Sequence, residues 1–132
     1  MRSLRAISLQ NLRYSNASDI LTGLSKFSGI VMLNMRGVYP ITFELFHNVQ
    51  FPSLQLLNLN YCRIKQILLP PQNLSALKEL FCRGNLIESM SNFTGLRNLK
   101  LLDLAQNNLT YIDQKELPTN LVVLNLVGNR LV

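Results

Sequence analysis

This sequence predicts an α/β solenoid, a right-handed coil built from about six short repeats. A curved parallel sheet would line its concave side, with short helices or irregular turns on the convex side. Three observations carry the expectation. Leucine dominates the apolar residues while tryptophan is absent; one pattern of apolar positions recurs at nearly constant spacing; and each copy holds a short apolar alternation, the period of a strand buried on one face.

The 132 residues suit a single domain, and a hydrophobic content of 48% suffices for one continuous core. Aromatic residues make up only 8%, which points to small repeated packing units instead of one aromatic-centred core. Thirteen Lys and Arg against seven Asp and Glu give a formal charge of +6, which favours acidic partners or anionic surfaces. These basic residues are spread from Arg2 to Arg130 without a run of three, so a dedicated nucleic-acid patch is not expected. No apolar stretch approaches the ~20 residues that cross a bilayer, and the first residues, Met1 to Arg5, lead straight into a repeat.

Self-alignment gives six copies: LRAISLQNLRY from Leu4, IVMLNMRGVYP from Ile30, LQLLNLNYCRI from Leu54, LKELFCRGNLI from Leu77, LKLLDLAQNNL from Leu99 and LVVLNLVGNRL from Leu121. Their starts are 26, 24, 23, 22 and 22 residues apart. Apolar residues fall at positions 1, 4, 6 and 11 of the pattern, with a small or polar residue at 9. A strand of about three residues cannot stand alone, so successive copies must pair into a parallel sheet at ~4.8 Å spacing, roughly 25 Å long for the whole set.

At position 9, Cys62, Asn85, Asn107 and Asn129 mark where the chain turns out of the sheet with its backbone still inside the core. An amide both donates and accepts, so a column of them can tie successive turns together. Gly37, Gly84 and Gly128 recur at position 8 as turn residues. On the convex side Met90, Phe93, Leu96 and Ile112 provide apolar anchors. Pro70 and Pro71 exclude a helix through 68–71, whereas 20–27 and 41–49 are long enough for one. The early copies should therefore be bulkier outside than the late ones.

With these residues in place, the chain resembles the leucine-rich-repeat family from Leu4 to Leu131, and its later copies look like that family's 22-residue class. From Leu96 to Ile112, leucines occupy every position that class expects. The first two copies depart from it, with Leu12 and Val38 at the polar turn position, Pro40 at position 11 and longer spacing. The resemblance implies a protein-binding scaffold or assembly subunit, intracellular and cytoplasmic or cytoskeletal, that uses its concave sheet. The alternative is a fragment of an extracellular receptor ectodomain, Toll-like or similar.

Independently of the resemblance, the strand period turns positions 3, 5 and 7 outward. Met32, Leu56, Phe81 and Leu101 would then form an exposed apolar stripe flanked by Arg36 and Arg83, with Asn58 and Asp103 beside it. Such patches mark interaction sites, and aromatic and arginine side chains carry most binding energy, so Phe81, Arg83 and Leu56 are the leading candidates. The expected partner is another protein, with acidic character favoured by the net charge.

No catalytic motif, phosphate-cradling loop or metal-ligand cluster is present, and a single histidine, His47, cannot make a relay. Neither an enzyme nor a cofactor is expected. Cys62 and Cys82 fall on neighbouring strands at an offset that puts their Cα atoms roughly 10 Å apart, too far for a disulfide; reduced thiols suit an intracellular setting. Against this, Asn16, Asn73, Asn92 and Asn108 head formal N-glycosylation acceptors. The final copy stops after its strand turn, at Leu131-Val132, which leads us to expect further chain or a neighbouring subunit over that end.

Overall fold

The computed structural model describes residues 3–11, 17–39, 41, 46–68, 70–90 and 93–132. Leu12, Pro40, the acceptors at Asn16 and Asn92, and residues 42–45 of the convex helix expected over 41–49 lie outside the described residues.

Six three-residue strands follow one another in a single sheet: β1 (Ala6–Ser8), β2 (Met32–Asn34), β3 (Leu56–Asn58), β4 (Glu79–Phe81), β5 (Leu101–Asp103) and β6 (Val123–Asn125). Every neighbouring pair is parallel and in the register of the repeat, Leu33 beside Leu57 and Leu57 beside Leu80. The fold is the expected leucine-rich-repeat-like coil. Strands this short are sustained because pairing runs past their ends. The N–H groups of positions 6 and 8 donate to the next copy's positions 5 and 7, as in Leu59 to Phe81 O at 2.7 Å and Tyr61 to Arg83 O at 2.9 Å.

Between strands, the core is the stack of positions 1, 4 and 6. Leu33, Leu57, Leu80 and Leu102 are wholly buried, as are Met35, Leu59, Cys82 and Leu104. Their counterparts in the end copies, Ile7, Leu9, Leu124 and Leu126, are half-buried because each has a neighbour on one side only.

Outside the sheet, α1 spans Ala17–Leu24, earlier than the expected 20–27. It ends where Lys26 and Phe27 N–H groups switch to carbonyls three residues back, at Gly23 and Leu24. The later convex segments are tighter, with 3-10 turns at Pro71–Asn73 and Gln114–Glu116. A recurring turn closes each segment before position 1: Ile30 donates to Phe27, Leu54 to Phe51, Leu77 to Leu74 and Leu99 to Leu96. Phe46, Phe51 and Phe93 fill the convex interior, and Asn73 donates through Nδ2 to the carbonyls of Phe46 and His47.

Candidate protein-binding surface

Parity along each strand places the candidates. Leu80 is buried, so Glu79 and Phe81 on either side of it lie on the solvent face. Register then sets position 3 as Ala6, Met32, Leu56, Glu79, Leu101, Val123 and position 5 as Ser8, Asn34, Asn58, Phe81, Asp103, Asn125. Met32 is 42% exposed, while Leu56, Phe81 and Leu101 are half-buried among their neighbours. Glu79 stands between Leu56 and Leu101, so the apolar patch bends through Phe81 instead of running straight along one column.

Position 5 has a duty that the sequence reading did not assign to it. Asn34, Asn58, Asp103 and Asn125 each accept, through Oδ1, the N–H two residues ahead, on Arg36, Asn60, Ala105 and Val127, at 2.9–3.1 Å. These side chains form the first bend out of the sheet. Asp103 is also held by Arg83, whose Nε lies 3.4 Å from Oδ2, and is only 8% exposed. Both its oxygens are thus engaged within the chain.

Phe81 is the exception, since a ring cannot accept that bond. Arg83 N–H donates instead to Asn60 Oδ1 of the preceding copy, at 2.7 Å. An aromatic residue in place of a polar one is compensated by a neighbour, and a ring is left on the solvent face of the sheet.

The position 9 column behaves as its chemistry demands. Asn85 Nδ2 donates to Leu59 O and Cys82 O, both at 2.9 Å, while its Oδ1 accepts from Cys62 and Ile64. Asn107 and Asn129 repeat the arrangement one and two copies later. Cys62 takes the same place with a thiol, its Sγ donating to Met35 O at 3.0 Å. It offers no side-chain acceptor comparable to an amide oxygen, and Val38 N–H turns to its own copy's Met35 O at 3.1 Å. Both cysteines are free. Burial raises the Cys62 thiol to about 11; burial first, then the nearby Cys62 and Asp103, keeps Cys82 protonated well above 9.0.

A further column lies at position 8, where every copy has positive φ: Asn11, Gly37, Tyr61, Gly84, Gln106 and Gly128, at 56° to 78°. Large residues and glycines alternate for a steric reason. The Tyr61 ring lies against Gly84 and the Asn11 side chain against Gly37, leaving no room for a Cβ on either glycine. The alternation is visible in the aligned copies, but its cause appears only when they are stacked.

Among the described residues no group of three or more His, Cys, Asp or Glu could hold a metal, and no helix is long and apolar enough to cross a membrane. A shallow polar depression of about 400 Å³ lies between Glu88, Ser89, Asn108, Thr110 and Arg130. The chain matches no family model, and no curated protein is significantly similar to it.

Proposed function

We propose that this chain is a leucine-rich-repeat protein that serves as a binding module or scaffold subunit, engaging another protein through the concave sheet with Phe81, Arg83 and Leu56 at the centre of contact. The observation that carries this reading is Phe81 at position 5. The solvent face of the sheet here holds an aromatic ring where four other copies hold a turn-forming Asn or Asp, and Asn60 has taken over the turn bond. Half-buried Leu56 and Leu101 lie diagonal to the ring on the adjacent strands, exposed Met32 continues the apolar surface beyond Leu56, and Arg83, oriented by Asp103, supplies a charged rim.

Affinity capture from native extract with wild type, Phe81→Ala and Arg83→Glu as paired baits tests it. A specific partner should be lost or bound at least tenfold more weakly, about 1.4 kcal/mol, by Phe81→Ala. Equal recovery by all three baits, with circular dichroism unchanged, would remove the concave face from consideration.

A further inference from the structure

The cations that look scattered along the sequence recur with the repeat, and the fold gathers a set of them on the edge where the chain leaves the sheet. Positions 7 to 12 of the described copies carry Arg36, Arg63, Lys65, Arg83 and Arg130, against Glu88 as the acid. Arg83 is committed to Asp103, and this is the ion pair formed among the described residues. Among the described residues neither the Arg36 nor the Arg63 guanidinium meets a carboxylate.

Both are nevertheless held in place. Arg36 lies over the Tyr61 ring at 4.6 Å, and Arg63 over the Tyr39 ring at 4.0 Å. The second copy contributes one arginine and one tyrosine, and the third contributes the complementary pair. Tyr61 is fixed in turn: its ring lies against Gly84, and its hydroxyl donates to Gln106 Oε1 at 3.2 Å, two copies away. Arg63 has φ of 57°, a left-handed backbone that a long side chain rarely adopts. The bonds from Cys62 N–H and Ile64 N–H to Asn85 Oδ1 pin the residues on both sides of it. Backbone strain of this kind persists only where the surroundings over-determine it.

A guanidinium stacked on a ring keeps its N–H fork available at the edge, in the planar geometry that matches a carboxylate. We propose that the turn edge of the second and third copies binds a carboxylate-rich protein segment, with Arg36 and Arg63 as paired forks and exposed Lys65 adding charge beside them. A protein is favoured over a nucleic acid because a strand of bases needs open aromatic faces to stack on. Here the Tyr61 ring is covered by Arg36 and lies against Gly84, and Tyr39 is covered by Arg63. This edge adjoins the Phe81 patch, since Arg36 shares the position 7 column with Arg83, but Arg63 and Lys65 lie three and five residues further along the turn and belong to this edge alone.

The test is fluorescence anisotropy of a labelled oligo-glutamate peptide, and of an oligothymidylate of equal charge, titrated with the full chain. Wild type should bind the peptide more tightly than the oligonucleotide. The double variant Arg63→Gln/Lys65→Gln should bind it about tenfold more weakly, and Arg63→Lys, which keeps the charge but loses the fork, should also weaken it. Arg63→Gly, which suits the left-handed backbone, should lose affinity with the fold intact. Phe81→Ala should leave peptide binding unchanged, so that failure of the concave-face reading is told apart from failure here. The proposal is overturned if wild type does not bind the peptide or prefers the oligonucleotide. It is equally overturned if Lys78→Gln/Lys100→Gln, which removes charge from exposed residues at position 2 before the strands, weakens binding as much as the Arg63→Gln/Lys65→Gln change.

Discussion

In the fourth to sixth copies the turn out of the sheet carries its own buried or half-buried amide, Asn85, Asn107 or Asn129; the second and third carry none, and the third borrows Asn85, whose Oδ1 accepts from Cys62 N–H and Ile64 N–H. There the inner position is Val38 or Cys62, the bonds from Val38 N–H and the Cys62 thiol both go to Met35 O, and the outer surface carries the reciprocal arginine-tyrosine stacks. The backbone shape at position 8 is the same in both sets. One turn geometry can therefore be reached through satisfied polar groups in the core or with apolar filling inside and stacking outside. The second solution leaves at the surface two arginines with no carboxylate partner among the described residues, one of them on a left-handed backbone, and this is where we place a binding edge.

This comparison can be broken at its strongest point. Asn85→Ala strands carbonyls and N–H groups in the core and should cost about 3 kcal/mol in urea denaturation. Cys62→Ala removes a sulfur and one weak donor and should cost about 1–2 kcal/mol. Equal losses would mean that the amide ladder holds nothing the thiol does not.

Alkali probes the same two regions with a smaller effect. The Cys62 thiol keeps its proton to about pH 11 in the folded chain, whereas the unfolded thiol loses it near 9.0. Its contribution to stability is therefore intact below pH 9 and is lost as pH rises from 9 to 11, by roughly 2–3 kcal/mol. Cys82 adds a loss of the same sign, since burial raises it too. The difference in urea midpoint between wild type and a Cys62→Ala/Cys82→Ala variant should narrow across that range; a constant difference would show the thiols to be solvated.

The smallest expected change is Arg63→Gly. Relief of a left-handed non-glycine backbone, about 1 kcal/mol, is set against loss of a stack worth about 0.5–1 kcal/mol, so stability should shift by less than about 0.5 kcal/mol. A large destabilisation would make the stack the main support of the turn, and the two halves of the comparison would differ more than we argue.

The sheet was legible in the sequence because its determinants are local and periodic. Leu102 and Leu104 alternate within one strand, and each copy repeats its neighbour's solution, so aligning the copies gives the register that pairs Leu57 with Leu80. The asparagines of position 9 were legible for the same reason. Position 5 carries a further duty that strand parity does not reveal: Asn58 and Asp103, read from the spacing as outward-facing residues, each bond an N–H two residues ahead. The boundaries of α1 shifted because its end depends on where the N–H groups of Lys26 and Phe27 find carbonyls, a choice that apolar spacing leaves open.

By itself the sequence determined the solenoid, its period, its buried columns and which residues face out of the sheet, since all of these follow from apolar spacing at the scale of one copy. Only the tertiary structure decided what lies across the boundary between copies: Asn60 serving the turn that Phe81 cannot, Tyr61 lying against Gly84, and Arg36 and Arg63 exchanging tyrosines. Residues more than twenty positions apart in the chain become neighbours about 5 Å apart when the strands stack, and side-chain length and backbone sign at that distance settle which contacts form.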